Sequence, residues 1–120
     1  MQEPTFLVLT SLLDEPRHGY ALMTEIERIS DGRTRMRVGT LYAVLERLAG
    51  EGLIEVAGEE IVNSRLRRTY RLTGAGATAI TAETERLESL ARAARTRLAR
   101  RPSTIDPATI RPATIRPAGA

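Results

Sequence analysis

The residues best equipped for chemistry in this 120-residue chain are its arginines and a short hydroxyl-bearing segment between them. Arg65, Arg67, Arg68 and Arg71 fall in a stretch, Ile61 to Ala82, that contains no acid. A second group, Arg33, Arg35 and Arg37, alternates through a loop-like segment. A guanidinium is a planar fork that binds phosphate or a guanine edge through two parallel hydrogen bonds. Just after the second group come Gly39, Thr40 and Tyr42, at the start of a helical pattern, with Arg47 two turns further on. Hydroxyls near a helix N-terminus suit contact with phosphate or base edges. Acid–base and nucleophilic chemistry has little to work with: one histidine, no cysteine and no paired-acid constellation. Gly74-Ala75-Gly76 lacks the further glycine of a dinucleotide fingerprint, and there is no Walker A loop. We therefore expect no catalytic residue, no metal site and no cofactor.

Charge is unevenly distributed. Residues 1–60 hold six arginines and eleven acids, whereas residues 61–101 hold ten arginines and three acids. A local cationic field of this kind suits a polyanion, although a solvated basic surface would read the same way. The apolar fraction of 42% is that of a folded domain. Without cysteine there is no disulfide framework, no apolar run is long enough to cross a bilayer, and no signal-peptide pattern opens the chain. The expected location is the cytoplasm.

These residues need positioning elements. Phe6, Leu9, Leu12 and Leu13 predict a helix from Pro4 to Leu13, ended by Asp14-Glu15-Pro16. Leu22, Met23, Ile26 and Ile29 line one face of a second helix, Gly19 to Ser30, stopped by Asp31-Gly32. In a third helix, Gly39 to Gly50, Leu41, Val44, Leu45 and Leu48 form the buried face, so Thr40, Tyr42 and Arg47 point elsewhere. Two strand-like runs follow, Leu53 to Ala57 and Arg67 to Leu72, with Gly58 to Leu66 as a long hairpin loop.

Thr73 reads as the N-cap of a long helix, Gly74 to Arg101. Ile80, Leu87, Leu90, Ala91, Ala94 and Leu98 make an apolar stripe along it. That stripe is expected to meet a second copy of the chain, with Phe6 and Leu9 of the first helix joining the contact; folding back on its own domain is the alternative. The arginines at the far end of this helix suit its dipole, with DNA contact as the alternative reading. Beyond it, TIDPA, TIRPA and TIRPA repeat with a proline every five residues, which predicts a disordered tail over residues 102–120.

Helix, helix, helix, strand, wing and strand is the order of a winged helix-turn-helix. His18-Gly19-Tyr20-Ala21-Leu22, Gly39-Thr40-Leu41-Tyr42 with Leu45 and Leu48, Glu51-Gly52-Leu53-Ile54, and Arg67-Arg68-Thr69-Tyr70-Arg71-Leu72-Thr73 with Gly76 resemble the signature string of the PadR family. The resemblance covers residues 5–76 closely and extends more loosely to about residue 101. It implies a mainly α fold with a small β-hairpin: a winged helix-turn-helix over residues 1–73 and a dimerisation helix over residues 74–101. It also implies a transcriptional regulator, commonly a repressor, that binds double-stranded DNA as a homodimer. Gly39, Thr40 and Tyr42 would then open the recognition helix, Arg67 and Arg68 would lie at the base of the wing, Tyr70 would pack beneath it, and His18 would start the second helix.

The DNA-contacting set expected from residues and resemblance together is Arg33, Arg35, Arg37, Gly39, Thr40, Tyr42, Arg47, Arg65, Arg67 and Arg68. The expected dimer contacts are Phe6, Leu9, Ile80, Leu87, Leu90, Ala94 and Leu98. A small-molecule effector, if there is one, is not identified by the sequence. With no tryptophan, and no aromatic residue after Tyr70, stacking of a flat ligand between long helices is not expected. The competing reading is a winged helix that grips only protein.

Overall fold

The computed structural model describes residues 1–102. The element order is α1 (Glu3–Ser11), β1 (Arg17–His18), α2 (Gly19–Ile29), α3 (Val38–Gly50), β2 (Ile54–Val62), β3 (Arg65–Leu72) and α4 (Gly74–Arg100). This is the expected mainly α fold with a small antiparallel sheet and a long final helix. The pentad-repeat tail lies outside the described residues.

Helix α1 is wrapped by apolar neighbours on most sides, with Leu7, Val8, Leu9 and Leu12 all buried. It ends earlier than the leucine spacing suggested, and Leu13 is exposed. Thr10 and Ser11 turn their hydroxyls back onto the Phe6 and Leu7 carbonyls, which satisfies two polar groups at a buried helix end. Helix α2 is capped by His18, whose Nδ1 accepts a hydrogen bond from the Ala21 N–H at 3.4 Å. The sole histidine thus has the helix-starting role its position implied. Asp31 and Gly32, both with positive φ, close α2, and the Gly32 N–H donates to the Glu27 carbonyl at 2.8 Å.

Leu22 and Ile26 of α2, Leu41, Leu45 and Leu48 of α3, Ile54, Tyr70 and Ile80 complete the core with the α1 residues. Each fully buried leucine or isoleucine contributes on the order of 1.5–3 kcal/mol through removal of apolar surface from water.

The sheet runs in the order β1-β3-β2, all antiparallel. Strand β1 had no signal in the sequence: it is two residues long, and Arg17 and His18 pair with Tyr70 and Thr69 only because the chain folds back on β3. The hairpin also corrects an expectation. Gly58 to Leu66 is mostly strand, with the connection reduced to Asn63-Ser64. Both turn residues have positive φ (51° and 65°), the backbone of a two-residue turn whose twist matches that of the strands. The extension was hidden because residues 57–61 are exposed on both faces, so no apolar alternation marks them. A register shift between Val56 and Gly58 further blurs the period.

Thr73 starts α4. Its hydroxyl accepts from the Gly76 N–H at 3.1 Å and donates to the Gly52 carbonyl at 2.6 Å. Gly76 sits so close to β2's approach that an added Cβ would lie 2.0 Å from the Leu53 carbonyl oxygen. One compact unit runs Met1–Leu87, and a second begins at Glu88. The first turns of α4 accordingly bury Gly76, Ile80 and Glu83. Arg86 donates to the Glu83 carboxylate at 2.8 and 2.6 Å, and the Met1 amino group lies 3.5 Å away. These cations, Arg86 foremost, hold the Glu83 carboxyl down to about 2. Within the second unit, every described residue from Glu88 to Pro102 is exposed.

Candidate nucleic-acid interface

Three segments meet around a cleft of about 470 Å³: the start of α2 (Gly19, Tyr20), the start of α3 (Val38, Tyr42) and the hairpin (Val62, Arg65, Arg67). Helix α3 owes its position to its own buried face, since Leu41, Leu45 and Leu48 are fully enclosed. That face leaves Gly39 and Thr40 exposed and Tyr42 half exposed. Tyr42 is also held from below. A Cβ on Gly19 would stand 2.7 Å from the Tyr42 hydroxyl oxygen, so glycine at this point lets the phenol lie across the first turn of α2.

The approach to α3 is braced internally. The Ser30 hydroxyl accepts from the Thr34 N–H at 3.0 Å, and Met36 is buried among the core residues. Arg33 and Arg37 flank this braced loop, exposed and without a carboxylate partner among the described residues. Arg35 differs: its Nε lies 3.2 Å from the Glu27 carboxylate.

The hairpin reverses the sequence impression of an acid-free basic run. Glu55, Glu59 and Glu60 on β2 stand opposite Arg71, Arg68 and Arg67 on β3. Arg71 donates to Glu55 at 2.7 Å, Arg68 to Glu59 at 3.1 Å and Arg67 to Glu60 at 2.9 Å. Arg65, beside the turn, is the one hairpin arginine with no such partner among the described residues. Sequence reasoning missed these glutamates because they are 7 to 16 residues away from their partners. It also missed Ile61 and Leu66, an apolar cross-strand pair near the turn, with Ile61 77% exposed. The Asn63-Ser64 dipeptide was the available signal for the register, and hence for both features.

Of the expected DNA contacts, Tyr42, Arg65 and Arg67 line the cleft, whereas Arg33, Arg35, Arg37, Gly39, Thr40, Arg47 and Arg68 do not. Arg47 lies in the last turn of α3, where it donates to Glu51 at 2.8 Å and to the Thr5 hydroxyl of α1. A carboxylate four residues on and a hydroxyl across the helix packing draw it to α1 instead. Two expected dimer contacts are corrected as well. Leu9 is 0% and Ile80 1% exposed, because both fill the protomer's own core and have no surface left for a second chain. Phe6 is half-buried against that core, whereas Leu87, Leu90, Ala94 and Leu98 are exposed, Leu90 by 56%. Among the described residues there is no His, Asp or Glu cluster suited to a metal ion, and no helix long and apolar enough to cross a membrane.

Comparison with known proteins agrees with this architecture. The profile of the Transcriptional regulator PadR-like family matches residues 8–82. Transcriptional regulator Rv3488 of Mycobacterium tuberculosis is 40% identical over 85 residues, 71% of this chain and 76% of that protein. A transcriptional regulator from Clostridium thermocellum superposes with a TM-score of 0.67 at 22% identity, covering 77% of this chain and 89% of the other. Bacillus subtilis PadR, solved in complex with operator DNA, superposes with a TM-score of 0.62 at 18% identity, covering 69% of this chain and 47% of the other.

Proposed function

The chain belongs to the PadR-like family of transcriptional regulators, and from that premise we propose that it binds double-stranded DNA as a homodimer and represses transcription at a pseudo-palindromic operator. The family is one of regulators rather than enzymes. One observation carries the DNA reading: Arg33 and Arg37, exposed on the loop that enters α3, have no carboxylate partner among the described residues, nor has Arg65, which lines a cleft with Val38 and Tyr42 at the start of that helix. A helix enters the major groove end-on, with side chains of its first turns at base edges and flanking cations on phosphate. Gly39 permits close backbone approach. Arg35, Arg67 and Arg68 reach phosphate only by leaving a carboxylate, and Arg47 contributes by holding α3 against α1.

Two copies place their α3 helices about one helical turn apart, roughly 34 Å. The exposed stripe Leu87, Leu90, Ala94 and Leu98 supplies the dimer contact, and Phe6 of α1 contributes to it. Leaving such a stripe in water forfeits about 1.5–3 kcal/mol for each large side chain. In this reading residues 1–73 carry DNA recognition, residues 74–101 carry dimerisation, and the chain works in the cytoplasm. An unidentified small-molecule effector would act by changing the spacing of the two α3 helices.

Fluorescence anisotropy with a duplex of the chain's own upstream region, across a salt series, tests the proposal. Binding that weakens steeply with salt is expected, and the slope should fall by about one unit for each phosphate-contacting arginine removed. Salt-independent binding, or none, defeats it in favour of a protein-gripping winged helix. A strictly monomeric protein at micromolar concentration defeats the homodimer.

A further inference from the structure

Three of the four hairpin arginines are each matched with a glutamate directly across the ladder. All these side chains are about half exposed. Surface ion pairs of that kind add only about 0–1 kcal/mol each to stability. The two-residue turn and the backbone ladder already define the hairpin, so its folding does not call for three of them. Their stronger effect is on the field outside. A carboxylate within hydrogen-bond distance of a guanidinium cancels most of its charge for an approaching anion, and repels a phosphate brought close to it.

We propose that Glu59 and Glu60 are specificity-determining residues: by occupying Arg68 and Arg67 they withhold the hairpin's cations from arbitrary duplex. The inference rests on the DNA reading above. Transferring an arginine from carboxylate to phosphate breaks one charge-assisted hydrogen bond for each one made, so the exchange gains little by itself. On a duplex without the right sequence, α3 is not seated and nothing holds phosphate oxygens in the bidentate position that would tip the balance. On the operator, base contacts by α3 fix the backbone beside the hairpin, and Arg67 and Arg68 then change partners. Affinity for the wrong sequence is therefore held down more than affinity for the right one. Arg65, beside the turn and without a carboxylate partner among the described residues, remains available in both cases.

The test compares wild type with Glu59→Gln/Glu60→Gln on a random-sequence duplex of about three helical turns, by anisotropy across a salt series. At about 0.1 M salt the variant is expected to bind roughly ten-fold tighter, with a log–log salt slope steeper by about one to two units. Glu85→Gln/Glu88→Gln makes the same change in net charge at two exposed α4 residues that have no ion pair among the described residues. It should leave affinity within about two-fold of wild type, because distant exposed charges are screened. Equal affinity and slope for wild type and the hairpin variant overturn the proposal while leaving the DNA reading intact. An equal gain from both double variants also overturns it, since net charge alone would then suffice. Failure of wild type to bind any duplex at low salt overturns the DNA reading and the proposal together. Circular dichroism checks folding; if the double variant is unfolded, Glu60→Gln alone should still bind about three-fold tighter, and no gain there overturns the proposal.

Discussion

The start of α3 and the β2–β3 hairpin are both rich in arginine, yet they hold it in opposite states. At α3, among the described residues, Arg33 and Arg37 have no carboxylate partner on a loop braced by Ser30 and Met36, and only Arg35 meets one. On the hairpin, Arg67, Arg68 and Arg71 are each matched by a glutamate, and among the described residues only Arg65 has no such partner. Counted along the chain, the hairpin holds more arginines, four against three; in space the α3 approach offers the less compensated charge. A charge run in a sequence thus becomes a field only after its cross-strand neighbours are known.

Several substitutions bear on this contrast. The largest effect is expected from Arg33→Ala/Arg37→Ala, which should weaken duplex binding by about 100-fold and flatten the salt slope by about two units. A smaller loss than that caused by Arg67→Ala/Arg68→Ala would reverse the ranking of the two regions. Next comes Gly19→Ala, where the new methyl displaces the Tyr42 phenol while the core stays intact. Binding should fall by about ten-fold with little change in melting temperature, as for loss of one well-placed contact of about 1–3 kcal/mol. Arg67→Ala/Arg68→Ala should cost only about three-fold on random duplex, since those guanidinium groups are already engaged, and more on the operator.

The smallest effect concerns a carboxylate that belongs to neither region. Glu83 is held at about 2 by Arg86 and the Met1 amino group. Its folded value lies below the ordinary 4.5, so its contribution to stability is fully present above pH 4.5 and fades as pH falls towards 2. Glu83→Gln should therefore melt below wild type at pH 7, and the gap should close on acidification. A gap undiminished between pH 7 and pH 3 would mean that packing, not charge, accounts for the difference.

Much of the scaffold could be read from local rules. The spacing of Leu22 and Ile26, and of Leu41, Leu45 and Leu48, marked the buried faces of α2 and α3, and their exposed remainder placed Thr40 and Tyr42 on the outside. Thr73 was legible as a cap, and the Gly19, Gly39 and Gly76 positions belonged to a recognisable string. Such signals survive because helix periodicity and capping are set within a few residues of chain.

What the sequence determined by itself was the order of elements, their buried faces and the family they compose. Tertiary structure decided which charges remain available and which apolar residues remain on the surface. Hairpin register set the first, through a turn at Asn63-Ser64 that brings Glu55, Glu59 and Glu60 against arginines far along the chain. Packing of α1 and the first turns of α4 set the second, enclosing Leu9 and Ile80 while Leu87, Leu90 and Leu98 stay exposed. Both depend on contacts between distant segments, and neither a charge count nor a helical stripe specifies which segment will arrive to make them.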